Sequence, residues 1–124
     1  MFKSNRNPQF RSKFSEDIFN TKYAHENAET FHELACTLVH DVCQDYLPDD
    51  EKDELIDHIS NLRFIPGGRY LYYAGRDKKF FNNCYLLKAE QDTREDWAKL
   101  SWEAESCLMT GGGIGVDYSV YRQE

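Results

Sequence analysis

The chain has 124 residues, of which 40% are hydrophobic and 15% aromatic, and a formal net charge of −7. That length is one domain's worth of polypeptide, too short for a multi-domain enzyme, and the aromatic content is too high for a disordered acidic tail. The acidic balance argues against non-specific nucleic-acid binding, which depends on neutralising phosphates with Lys and Arg.

A mean hydropathy of −0.76 is low for a self-sufficient globule, so part of the apolar surface is expected to await a partner. Charge is unevenly spread. Residues 1–23 hold five basic and two acidic side chains, a local +3, which leaves ten basic and twenty acidic ones, −10, in residues 24–124. In the first segment Lys3, Arg6, Arg11 and Lys13 are interleaved with Phe2, Phe10 and Phe14, which reads as a loosely held basic arm. Its opening, "MFKSNRNPQF", lacks the apolar core of a signal peptide, and no apolar run approaches the ~20 residues that span a bilayer. A cytoplasmic protein with no membrane partner is expected, its four cysteines reduced.

Residues 24–65 read as a helical region. "AHENAETFHELACTLVHDVCQDY", residues 24–46, sets Phe31, Leu34, Ala35, Leu38, Val39, Val42 and Tyr46 at helical spacing and predicts an amphipathic helix. At a rise of about 1.5 Å per residue, Cys36 and Cys43 lie about 10 Å apart on it, too far for a disulfide. "LPDD" ends that helix at Pro48 and offers an aspartate cap to a second one, roughly residues 50–62, with Leu55, Ile56, Ile59 and Leu62 on one side. His32, His40 and His58 fall among charged neighbours and read as solvated. The histidines at 25, 32, 40 and 58 lack metal-ligand spacing among themselves or with cysteines, and no C-x-x-C pair occurs, so no metal site is expected.

The character changes in residues 66–124. In "RFIPGGRYLYYAG" the turn residues Pro66, Gly67, Gly68 and Gly75 bracket Tyr70, Leu71, Tyr72 and Tyr73, which read first as core filler and second as the wall of a flat pocket. "NCYLLKA" reads as a short, mostly buried strand. Within "NNCYLL", Cys84 is either a small buried hydrophobe or a thiol held at a strand end. Asp92 and Glu95 have the spacing of an N-cap and its capping-box partner for a third helix, whose Trp97, Leu100, Ala104 and Leu108 share a face. That helix stops at Gly111-Gly112-Gly113, and "IGVDYSV" resembles a second strand. Strand, helix, strand is the unit of a parallel α/β sheet.

"TGGGIGVDYS" is not a nucleotide-binding loop of the usual order. In those loops the glycines follow a strand and open a helix, whereas here a helix precedes them and a strand follows. Four glycines in five residues exceed what a helix C-cap needs, so structural turn and close ligand approach both stay open.

Four stretches in this order, "KYAHENAETFHEL", "FIPGGRYLYYAG", "NNCYLL" and "LMTGGGIGVDYSVYR", resemble the N-terminal part of ribonucleotide reductase large chains. The likeness is nearest to the adenosylcobalamin-dependent (class II) enzymes, particularly a form seen in phages, and covers roughly residues 15–122. It implies an α/β fold in which the N-terminal helical region precedes the first strand–helix–strand unit of a ten-stranded α/β barrel, incomplete in this chain. Cys84 matches one of the two thiols that reduce the ribose, while a thiyl radical forms on another cysteine. Gly112 and Gly113 match backbone that approaches the substrate nucleoside, and Tyr70 stands where relatives often carry a small hydroxyl residue lining that site. Asp92, Thr93 and Arg122 match contacts to a deoxynucleotide specificity effector. Cys107 reads as a core residue and as the one intrachain partner open to Cys84.

The implied cofactors are adenosylcobalamin, bound mainly by the remainder of the barrel, and a dithiol reductant such as thioredoxin. The implied partners are that C-terminal remainder, a ribonucleotide substrate and a deoxynucleotide or ATP effector, in the host cytoplasm if the chain is phage-encoded. On this reading the chain is a fragment or the N-terminal half of a split reductase, inactive alone. The rival expectation is a non-enzymatic nucleotide-binding or interaction fragment.

Overall fold

In the computed structural model, which describes residues 10–122, the chain is a mixture of helices and a two-stranded parallel sheet, an α/β arrangement. It divides into two compact units between Lys79 and Phe80. The expected boundary at residues 65 and 66 is corrected, because Leu71 and Ala74 are buried in the core of the first unit. Phe2, Lys3 and Arg6 of the expected basic arm lie outside the described residues.

Residues 13–23 of that arm are helical. Helix α1, Lys13–Ile18, is capped by Ser12 and runs directly into a π-helical turn, Phe19–Tyr23. Phe19 is buried, its ring 5.5 Å from Phe10 and 5.8 Å from Phe31, so aromatic packing holds this segment to the core.

Helix α2, Phe31–Cys43, begins seven residues later than the apolar spacing predicts. Thr30 and Glu33 form a reciprocal capping box that fixes the start, and residues 25–28 close a turn through paired His25 and Ala28 backbone groups. Its buried stripe is Phe31, Leu34, Ala35, Leu38 and Val39. Val42 stays 40% exposed and Tyr46, beyond the helix end, 87%. Pro48 serves as N-cap of α3, Asp49–Ser60, whose first turn carries Asp49, Asp50 and Glu51 where the helix dipole favours anions. Ile56 and Ile59 of α3 pack into the same core. Leu34, Val39 and Ile59 are fully buried, each contributing about 1.5–3 kcal/mol by leaving water.

The tyrosine run forms a short helix, α4, Gly68–Tyr73, with Leu71 facing inward. The turn after it is fixed on every side. His25 Nε2 lies 2.8 Å from the Ala74 carbonyl, and the Gly75 amide donates to Asp41 Oδ2 over 2.7 Å. Lys79 Nζ reaches Asp41 Oδ1 over 2.8 Å. Burial raises the Asp41 pKa, but the Lys79 ammonium and the Gly75 amide outweigh it and hold the carboxyl below its ordinary value. Gly75 sits at φ +72°, and a Cβ there would lie 2.6 Å from Thr37 Cγ2.

In the second unit, strand β1, Cys84–Lys88, pairs in parallel with β2, Gly113–Asp117, and α5, Arg94–Met109, connects them. Burial alternates along β1, with Tyr85 and Leu87 on the covered face. The other face is open, with Leu86 81% exposed, so the expectation of a mostly buried strand is corrected: a single helix covers only one side of the sheet. Among the described residues no helix is long and apolar enough to cross a membrane.

Candidate functional site

The parallel register places Cys84 opposite Gly113, Leu86 opposite Gly115 and Lys88 opposite Asp117. Residues paired across a parallel ladder project to the same side, so these six line the open face. Cys84 is exposed and its thiol free. Its Sγ lies 3.2 Å from where a Cβ at residue 113 would stand, so the sulfur rests directly over bare backbone. The Gly113 amide donates to the Asn83 carbonyl over 2.8 Å, which fixes the strand start beneath the thiol. At the far end of this face Lys88 Nζ meets Asp117 Oδ2 at 3.5 Å. The Ser119 amide and Lys88 hold the Asp117 carboxyl below its ordinary pKa.

The glycine run resolves residue by residue. Gly111, at φ +77°, is the turn that follows the Thr110 C-cap of α5. Gly112 is buried, and a Cβ there would lie 2.7 Å from Tyr85 Cε2 and 3.4 Å from the Cys107 carbonyl. Its missing side chain is required by packing towards the covered face, whereas at Gly113 it leaves room over the open face. Gly113 and Gly115 alone leave space on the open face. Cys107 is half-buried on α5, and all four cysteines are free thiols.

A second cluster joins the start of α5 to the segment after β2. Arg122 donates from Nε to Asp92 Oδ2 over 2.5 Å and from Nη2 to the Asp92 carbonyl over 3.2 Å. The Trp97 indole N–H donates to Asp92 Oδ1 over 3.2 Å. The Arg122 guanidinium first, and the Trp97 indole second, hold the Asp92 carboxyl below its ordinary pKa. Tyr121 stacks on Trp97 with ring centroids 3.7 Å apart, and Tyr118 lies 5.2 Å from Tyr121. Asp92 is therefore not the helix cap. Thr93 is, its hydroxyl accepting from the Asp96 amide at 3.2 Å. The cap thus sits one residue later than expected, and no reciprocal box closes it, since the Asp96 carboxylate accepts from the Gln91 amide over 2.7 Å.

The structure thus brings Cys84 together with Gly113 and Asp92 together with Arg122, while Thr93 serves as the cap of α5. Tyr70 lies in the first unit, half-buried, lining an apolar cavity of about 240 Å³ with Leu38, Val39, Ile59 and Phe64. Sequence reasoning missed Trp97, Tyr118 and Tyr121 as a stack, although the Y-S-V-Y spacing after a strand was visible. Among the described residues no group of three or more His, Cys, Asp or Glu side chains is arranged to hold a metal ion. No protein-family model matches the chain, and no curated protein is significantly similar to it.

Proposed function

We propose that the chain is the N-terminal part of a ribonucleotide reductase of the adenosylcobalamin-dependent type, and that residues 80–122 supply the opening strand–helix–strand of its barrel. The observation that carries this reading is the register of Cys84 over Gly113 on an uncovered sheet face. A reducing thiol must sit rigidly beside the sugar and still exchange with a reductant, and a strand-end cysteine facing side-chain-free backbone meets both needs.

In the proposed reaction Cys84 and a second thiol, supplied by the remaining barrel, each give up one electron and one proton. The ribose 2′ carbon loses its hydroxyl as water and gains hydrogen, and the two sulfurs join as a disulfide. A dithiol such as thioredoxin then restores both thiols by exchange. Adenosylcobalamin would supply the radical that opens the reaction. The apolar groove of about 420 Å³ in the first unit is too small for a corrinoid, whose contacts this reading assigns to the remaining barrel. Gly113 and Gly115 admit the nucleoside, while Asp92, Thr93 and Arg122 are the proposed effector contacts.

The test combines this chain with the polypeptide that supplies the other strands, adenosylcobalamin, dithiothreitol and ribonucleoside di- or triphosphates. Deoxynucleotide should form, and Cys84→Ser should abolish it; turnover that survives the substitution refutes the role of Cys84. The rival reading, a non-enzymatic nucleotide-binding module, draws on the Asp92–Arg122–Trp97–Tyr121 cluster being complete within one unit. Calorimetry with deoxynucleotides on the chain by itself separates the two, since tight binding without any partner favours the module.

A further inference from the structure

His32 and Cys36 lie one helical turn apart on α2, a spacing discounted on sequence. Cys36 Sγ and His32 Nε2 stand 3.6 Å apart, and His32 Nδ1 lies 2.8 Å from Ser60 Oγ on α3. The ligand-to-ligand edge of a tetrahedral zinc centre with one sulfur and one nitrogen, from bond lengths of about 2.3 and 2.0–2.1 Å, is also about 3.6 Å. The sulfur and nitrogen already hold that edge. Ser60 Oγ stands where an oxygen can orient a metal-bound imidazole: accepting from Nδ1–H, it would leave the Nε2 lone pair for the cation.

We propose that His32 and Cys36 form a two-residue seat for a thiophilic divalent cation of the zinc type, with water completing its coordination. This proposal is independent of the reductase reading. Burial first, then the negative charges of Glu33 and Asp53, raise the Cys36 pKa, while the thiol's own backbone hydrogen bond lowers it. The same carboxylates that disfavour a bare thiolate favour a cation at that spot. Binding replaces the thiol proton: the S–H bond breaks, the sulfur lone pair bonds the cation, and one proton leaves to solvent. With two protein ligands the affinity falls below that of closed four-ligand structural sites.

The test titrates the full chain with cobalt(II) chloride and follows the sulfur-to-cobalt charge-transfer absorption in the near ultraviolet, with zinc chloride as competitor. The wild-type chain should develop the band. Cys36→Ser should abolish the band, and His32→Gln and Ser60→Ala should each weaken cobalt binding by about tenfold or more, while Cys84→Ser leaves it unchanged. Far-ultraviolet circular dichroism verifies that each variant is folded. The proposal is overturned if the wild-type chain gives no thiolate band, or if the band survives Cys36→Ser or is indifferent to His32→Gln.

Discussion

Alanine substituted in turn at Gly112, Gly113 and Gly115 separates packing from ligand access. At Gly112 the new Cβ would lie 2.7 Å from Tyr85 Cε2 and 3.2 Å from Cδ2, and the ring is confined on the covered face of the sheet. Overpacking of that kind costs about 1–3 kcal/mol. At Gly113 the contact is Cys84 Sγ at 3.2 Å, an exposed sulfur that moves aside by a few tenths of an ångström. At Gly115 it is Leu86 Cδ1 at 3.6 Å, ordinary contact with a side chain that is 81% exposed. For both positions the small strain is offset by the reduced entropy of the unfolded chain, and the net change should stay within about 1 kcal/mol. Trp97 and Trp102 both lie on α5, so urea unfolding followed by tryptophan emission reports the second unit. If the proposed reductase reading holds, Gly113→Ala should abolish turnover of the completed enzyme while leaving that unfolding curve in place, because the methyl group would take the space proposed for the nucleoside. Equal destabilisation by Gly112→Ala and Gly113→Ala would make Gly113 a packing residue and refute the reasoning. Full turnover by Gly113→Ala would do the same.

Two further predictions concern the turn after α4. Gly75→Ala combines a left-handed backbone with a 2.6 Å approach to Thr37 Cγ2 and should destabilise the first unit by about 2–4 kcal/mol, measured by hydrogen exchange of the α2 amides. Asp41 has a folded pKa held below its ordinary value, chiefly by Lys79 and Gly75 working against burial, so its stabilisation is complete above the ordinary value and is lost as pH falls through the lower one. Asp41→Asn should lower stability at neutral pH and flatten the acid limb of the first unit's stability profile; an unchanged acid limb would deny Asp41 that role.

The α/β character and the existence of both strands and of helices α2, α3 and α5 were legible; apolar spacing matches burial at Leu34, Ala35, Leu38 and Val39, at Ile56 and Ile59 and at Leu100, but not at Leu86 or Leu108, which are exposed. Helix α1 was not: none of its residues is buried, and the apolar pattern that marks a helix is absent where a helix has no covered face. The start of α2 was misplaced because Ala24 and Ala28 continue the helical spacing, while the Thr30 capping box, which outweighs it, lies inside the run. The open face of β1 was equally hidden, since Cys84, Leu86 and their neighbours look alike in sequence whether or not a second layer covers them. The Cys36–His32–Ser60 chain depends on how α3 lies along α2, and spacing within one helix shows only half of it.

The capping choice at α5 bears on the effector reading. A carboxylate that caps a helix spends its oxygens on backbone amides, whereas Thr93 takes that duty and leaves both oxygens of Asp92 for other donors. Those donors are already in place: Trp97 holds one oxygen and Arg122 the other. Arg122 is therefore not an open cation awaiting phosphate, and an anionic ligand gains it only by displacing Asp92. Displacement would free the Asp92 oxygen that Arg122 now occupies, at the moment a ribose hydroxyl arrives to donate to it. On the proposed effector reading the ion pair and a nucleotide would be alternative partners for the same two side chains; the Trp97–Tyr121 stack holds the segment bearing Arg122 beside Asp92.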